Sequence, residues 1–418
     1  MDRKIVAIST SPFPYGDNIT DGPGYRAWHL LQELAESYEV IILSLYENYH
    51  LKIAQEIELS EKNILIKCIK PKPSRIAKLI KNEKPDVLYL PWSSTPFLSG
   101  IKQKLPTILD YVGAGLLEEY ATKGFIPITL LEMKLKSFWL GDFFLTAGER
   151  ERYYLLGLLA ASKRMSHGKH DQTDPLIHLI PMTPPPEPPA TSNELMKKKP
   201  GEFVLLVAGA FLPWYDYTTF FKALRILDRK AKSNLKVLFM GGNPRDPKFE
   251  HLVKEMGALS KMQEKIVYTG TVPFKQRANY YSLADVAVNI PANTIEDELS
   301  VRTRVVDYIW AGLPILTPAK DEYSTAVVEA DAGFAYQAGD ASSLAQAIEK
   351  IITHPERLEQ SRKNMRFLLE GKFNLKNYIL PLEKFIRDPY INPSRLTPRG
   401  IGPNLFLWVR DVFGLLKR

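Results

Sequence analysis

Arg302 and Arg304 stand two residues apart, just behind the acidic run Glu296-Asp297-Glu298. Guanidinium groups bind anions, and the residues around them say how they are presented. Val286, Val288 and Ile290 alternate as a strand, and an acidic turn follows. A helix then reads from about Ser300, with Val301, Val305, Tyr308 and Ile309 on one apolar face. Gly312 is its expected C′ stop, and Pro314–Thr317 restarts a buried strand. A helix start offers free backbone N–H groups and the positive end of its dipole. With Arg302 and Arg304 it makes an anion site suited to a pyrophosphate. Asp307, on the same helix, is a carboxylate able to accept hydrogen bonds from a ribose diol.

The chain that must position these groups has 418 residues, the size of two ordinary domains. Its 45% hydrophobic and 24% charged content is that of a globular protein. Lys4–Ser9, Val40–Leu45, Pro85–Leu90, Thr107–Asp110 and Phe143–Thr146 read as strands, with helices at about Gly24–Glu36 and Ser74–Asn82. That order predicts a doubly wound α/β domain over residues 1–180. The proline-rich stretch 181–201 reads as a linker. Residues 202–386 repeat the logic, with strands at Phe203–Ala208, Lys236–Met240, Ile266–Thr269, Val286–Ile290, Pro314–Thr317 and Gly333–Tyr336. Two such domains leave a cleft between them, with ligand expected at the carboxyl ends of the second sheet.

The stretch from Glu296 to Pro314 resembles the nucleotide-sugar signature of bacterial family-four glycosyltransferases of the GT-B fold. The match rests on Glu296, Ser300, Arg302, Thr303, Arg304, Asp307, Tyr308, Trp310, Ala311, Gly312, Leu313 and Pro314. Gly22-Pro23-Gly24-Tyr25-Arg26-Ala27-Trp28 resembles that family's glycine loop, and the run from Gly270 to Val286, with Thr271 and Val272, its base-binding segment. The resemblance implies a retaining transfer of sugar from a nucleotide-sugar donor to a hydroxyl of a glycan or lipid-linked acceptor. It also implies that Gly22, Gly24, Arg26, Gly209, Thr271, Val272, Ser300, Thr303 and Asp307 bind substrate. Two departures stand out. Leu299 occupies the place, eight before Asp307, where the wider family has a glutamate, so Glu296 or Glu298 is left to serve. The Arg and Lys expected after the first strand of the second domain are missing from Gly209–Asp216, which shifts the electrostatic work to Arg302 and Arg304.

Other constellations are weaker. Gly22-x-Gly-x-x-Ala27 also fits a dinucleotide loop, but about a dozen residues separate it from its strand, too many for that motif. Asp110 ends an apolar strand and is a candidate catalytic acid facing the cleft. His167, His170 and His178 cluster in a polar loop rather than in a ligand geometry, and no Asp-x-Asp occurs, so neither a metal nor another cofactor is expected. Cys68 is the only cysteine, which excludes an internal disulfide and points to a reducing cytoplasm. Met1–Tyr15 alternates into a strand rather than a signal segment. Of the net charge of +8, half lies in residues 387–418, with six basic groups against two acidic. The amphipathic end Asn404–Arg418 reads equally as a peripheral membrane contact at the inner face or as packing on the first domain. Lys62, Lys67, Lys70, Lys72, Arg75, Lys78 and Lys81 read as a solvated basic face, and nothing marks nucleic-acid binding. Two rival classes share these features: a nucleotide-sugar epimerase, and a non-catalytic donor-binding subunit.

Overall fold

The computed structural model of the chain describes residues 3–14, 19–45, 57–61, 63–97, 104–162, 164–165, 176–185, 187–191, 198–209, 211–212, 214–229, 234–241 and 265–396. In the first domain the strands are β1 (Lys4–Ser9), β2 (Glu39–Ser44), β3 (Ile57–Glu61), β4 (Ile64–Cys68), β5 (Val87–Pro91), β6 (Thr107–Asp110), β7 (Phe143–Thr146) and β8 (Ile177–Leu179). The helices between them are α1 (Gly22–Leu34), α2 (Pro73–Glu83), α3 (Gly115–Lys123), α4 (Ile128–Ser137) and α5 (Glu149–Ala161). The strands form one sheet in the order β3-β4-β2-β1-β5-β6-β7-β8, in which only β3 runs antiparallel. Helices cover both faces, which is why β1 and β5 are almost unbroken apolar runs.

The second domain has β9 (Phe203–Ala208), β10 (Leu235–Met240), β11 (Ile266–Gly270), β12 (Val286–Val288), β13 (Ile315–Thr317) and β14 (Gly333–Ala335). Its helices are α6 (Tyr217–Arg229), α7 (Arg277–Tyr281), α8 (Ile295–Leu299), α9 (Thr303–Trp310), α10 (Glu322–Glu329), α11 (Ala341–Thr353) and α12 (Glu356–Glu370). All six strands are parallel, in the order β11-β10-β9-β12-β13-β14. The order reverses between β9 and β12, so the crevice at their carboxyl ends is the expected ligand position.

The hairpin β3–β4 and the short β8 escape a reading by periodicity, because each is brief and flanked by polar chain. Lys67 of the supposed solvated face lies on β4 and is ion-paired to Glu58 at 3.0 Å and Glu83 at 2.9 Å. His178 lies on β8 and stacks on Phe143, with ring centroids 3.9 Å apart. His167 and His170 fall outside the described residues, as does the tail from 397 onward.

The last described helices, α13 (Leu380–Arg387) and α14 (Pro393–Leu396), return to the first domain. Ile379, Leu382, Phe385 and Ile386 join the core built on Ile5, Ala7, Trp28 and Phe143. The expected division at residue 386 therefore cuts a helix whose apolar face belongs to the first domain. Beyond it, the Asn392 N–H donates to Asp142 at 2.9 Å, and Arg395 donates to the Leu105 carbonyl at 3.0 Å and pairs with Asp142. Phe385 stacks on Phe143, 4.8 Å between centroids. Phe385→Ala is expected to cost about 3–5 kcal/mol, the usual loss for a buried aromatic. Hydrogen-exchange protection should fall in β1 and β7 and hold in β9 and β10; loss confined to the second domain would contradict this assignment.

Candidate active site

Thr294 starts the segment that matters. Its side chain caps α8 by accepting from the Asp297 N–H, while Asp297 accepts from the Thr294 N–H at 2.7 Å. The acidic turn of the sequence reading is therefore itself a helix. The chain extends from Ser300 to Arg302, and the next helix, α9, begins at Thr303, about three residues later than expected. Its end is as expected: Gly312 has φ +63°, and Leu313 and Gly312 donate to Tyr308 and Ile309 in a Schellman closure.

The two arginines have different partners. Arg302 is 5% exposed and spends its guanidinium on its own segment. It donates to Glu296 Oε1 at 3.1 Å and closes short contacts to Glu296 Oε2 and Asp297 Oδ1. Glu296 and Asp297 are each 1% exposed, so this is a buried cluster of one cation and two carboxylates. The catalytic roles expected of Arg302 and Glu296 are corrected accordingly: each neutralises the other. Arg304 is the contrast. It is 8% exposed, has no carboxylate within ion-pair distance among the described residues, and leaves Nη1 without a hydrogen-bond partner. Its guanidinium carbon lies 3.8 Å from the centroid of the Tyr215 ring. It also lies directly beneath Gly209, where an added Cβ would fall 2.3 Å from Nη2. Gly209 has φ +106° and follows β9, at the point where the strand order reverses. Arg304 thus packs beneath the turn that follows β9.

The other expected residues divide in the same way. Asp110 is 4% exposed and accepts from Arg26 Nε at 2.8 and 2.9 Å and from the Tyr89 hydroxyl. Arg26 also donates to the Ile180 carbonyl at 2.6 Å. A carboxylate so committed does not face the cleft, and neither Asp110 nor Arg26 is placed among the reacting groups. Asp307 accepts from Arg277 Nε at 3.1 and 3.2 Å and from the Tyr281 hydroxyl at 2.8 Å, forming a buried ion pair on the helix where a ribose contact was expected. Thr271 and Val272 lie in the loop after β11, Thr271 exposed and Val272 half-buried.

Gly22, Ser300 and Thr303 lie where the domains meet, while Gly24 packs within the first domain. An added Cβ on Gly22 would fall 2.9 Å from Thr303 Oγ1, and one on Gly24 2.2 Å from the Pro12 carbonyl. The Ser300 hydroxyl accepts from the Ala114 N–H at 3.0 Å. The first domain's glycine loop therefore closes on the start of α9.

Glu151, unnoticed in the sequence, holds this junction. It is fully buried and accepts from the N–H groups of Gly113 at 2.9 Å, Ala147 at 3.0 Å and Val301 at 3.4 Å. Burial pushes its carboxyl up to about 7, against the pull of those N–H groups and of Arg26. Arg150 adds donations to the carbonyls of Glu298 at 3.1 Å and Lys320 at 2.5 Å. The only sequence signal for Glu151 is that it is one of two acids, with Glu149, in the first turn of a helix.

Residues 192–366 match the family model described as glycosyl transferases group 1. No curated protein matches significantly. Among solved structures, sucrose-phosphate synthase from Thermosynechococcus elongatus is similar with a TM-score of 0.66 and 15% identity, over 92% of this chain and 98% of that one. The Anabaena protein HepE in complex with UDP and glucose gives 0.66 and 11%, over 92% and 99%. A glycosyltransferase from Rickettsia africae gives 0.57 and 14%, over 93% and 100%. The fold is GT-B, and its second domain carries the match to the group 1 glycosyl transferase model.

Arg302→Ala leaves two buried carboxylates without their cation and should destabilise the protein by about 3–5 kcal/mol, read as a fall in melting temperature. An unchanged melting temperature would mean the cluster is not a structural brace. Glu151 gives a pH test. Its folded pKa lies above its ordinary value of 4.5. Its stabilising contribution is thus fully present below about pH 4.5 and is lost as pH rises through about 7, on the order of 3 kcal/mol in all. The melting-temperature advantage of wild type over Glu151→Gln should shrink from pH 5 to pH 8; a gap independent of pH contradicts the burial effect.

Proposed function

We propose that the enzyme moves a sugar from a nucleotide-sugar donor to an acceptor hydroxyl, with retention and without a metal. In this reading the donor diphosphate lies between Gly209 and the start of α9. One observation carries it: Arg304 is a buried guanidinium with no carboxylate partner among the described residues, aimed under a glycine at the carboxyl end of β9. A buried cation left unpaired by the protein is costly, and an anionic ligand offsets that cost. HepE, of the same fold, is described in complex with UDP and glucose, which supports a nucleotide-sugar donor.

As the bond from the anomeric carbon to the diphosphate breaks, negative charge grows on the leaving oxygen. Arg304 meets that charge with a spare N–H, and the first-turn N–H groups of α9 add the helix dipole. Arg302, Glu296 and Asp297 hold the chain extended before Thr303, so those N–H groups stay aimed outward. Gly22 brings the first domain within contact of Thr303, closing the site against water. Retention, and a cytoplasmic place in the synthesis of cell-surface or lipid-linked glycans, follow from the family-four resemblance. Among the described residues no helix is long and apolar enough to cross a membrane.

Calorimetry with UDP, GDP, dTDP and ADP, with and without a chelator, tests the donor site. Chelator-independent binding of one of them is expected. Arg304→Ala should lower kcat/KM by about 2–4 kcal/mol, the scale of a lost transition-state charge contact, with little change in melting temperature. Arg304→Lys should recover only part, since it lacks the fork. An Arg304→Ala variant with wild-type diphosphate affinity would remove this residue from the donor site.

A further inference from the structure

Helix α5 changes character along its length. Its first turn is charged, Glu149-Arg150-Glu151-Arg152, and Arg152 pairs with Glu149 at 3.1 Å. From Tyr153 to Ala161 it reads Tyr-Tyr-Leu-Leu-Gly-Leu-Leu-Ala-Ala, without a charge. Leu155 and Leu159 belong to the first-domain core, and Tyr154 and Leu158 pack against it. Tyr153, Leu156, Gly157, Ala160 and Ala161 recur on the other side and are exposed, Tyr153 to 67% and Leu156 to 38%. A surface helix ordinarily turns charged residues to water along this side. Gly157 sits in the middle of the face, where an added Cβ would meet nothing within 4 Å among the described residues. Glycine is a poor helix former, and what it permits is close approach by another backbone.

A segment of this chain sets out from beside the far end of α5. Just past that helix, Arg164 donates to the carbonyls of Phe138, at 3.0 Å, and Gly141. Arg395, on α14, pairs with Asp142, and the Asn392 N–H donates to the same carboxylate. The turn 138–142 therefore receives both the end of α5 and the chain that leads into the tail. Residues 397–403 can reach about 23–25 Å when extended. Asn404–Arg418 follows, with a length of about 22 Å as a helix against about 20 Å for α5. At helical spacing Leu405, Trp408, Val409, Val412 and Leu416 share one face, and Arg410, Lys417 and Arg418 fall opposite.

We propose that Asn404–Arg418 packs as a helix along the outer face of α5, with its apolar side over Tyr153, Leu156 and Gly157. The face suits this occupant better than a lipid surface. No basic group lies on it from 153 to 161 to draw anionic headgroups, and the nearest cation, Arg152, is already paired. A tethered segment also reaches the face at a local concentration that a second copy matches only in the millimolar range. So placed, the tail clamps a helix whose first turn, through Arg150 and Glu151, bonds to the second domain.

Hydrogen exchange on the full-length chain tests this, at two protein concentrations and with or without phosphatidylglycerol vesicles. Amides of 404–418 should be protected without vesicles, and equally at both concentrations. Leu156→Glu and Gly157→Leu should each cut that protection tenfold or more, while β1 and β9 keep theirs. Gly157→Leu leaves the face apolar and only fills the approach, so it separates close packing from polarity. The proposal is overturned if 404–418 exchanges freely in solution, or if both variants leave its protection unchanged. It is overturned equally if protection needs vesicles, which makes the partner a lipid surface, or grows with protein concentration, which makes it a second copy.

Discussion

One buried cluster governs this site: the guanidinium of Arg302 held between the carboxylates of Glu296 and Asp297. Removing three charges from water is expensive, and the arrangement persists because each carboxylate has another hold. Asp297 completes the capping box of α8, and Glu296 stands in its first turn. The consequence is geometric. With Arg302 committed backward, the chain cannot run as one helix from 295 to 310. It breaks at Ser300, and α9 begins afresh at Thr303, with the Val305 N–H donating to the Arg302 carbonyl at 2.9 Å.

The same cluster separates two arginines that the sequence treats as a pair. Arg302 is neutralised within its own segment, whereas Arg304 is carried to Gly209 and held by aromatic faces instead of carboxylates. Aromatic neighbours let a guanidinium be buried while keeping its charge available, which is what an anion site requires. Tyr215 matters here because its ring lies against the Arg304 guanidinium without neutralising it.

The domains are joined by backbone groups more than by ion pairs. Glu151, Ser300 and Arg150 all engage main-chain N–H or C=O groups across the junction. Tyr323 does likewise, donating to the Ala147 carbonyl at 2.9 Å and accepting from the Met182 N–H at 2.7 Å. Main-chain contacts set a register between two loops with little dependence on ionic strength. The return of α13 to the first-domain core adds a second, apolar tie. Together they fix the glycine loop at Gly22 over the start of α9.

By itself the sequence determined the two Rossmann-like sheets. Most strands are short apolar runs bounded by turns, and Lys4–Ser9, Thr107–Asp110, Phe143–Thr146 and Phe203–Ala208 were legible to the residue because local pattern decides them. The Gly312 stop was legible for the same reason, a positive φ that only a few residues accept. The basic character of the 302–304 segment was equally plain from residue type. What tertiary structure alone decided was which charge remains free. Asp110, Asp307, Glu296 and Arg302 each looked available in the sequence, and each is consumed by a partner 5 to 84 residues away. Arg304 looks no different from them in the chain, yet among the described residues its Nη1 has no hydrogen-bond partner. Charge is a property of a residue, but its neutralisation is a property of its neighbours in space, and only folding assigns those.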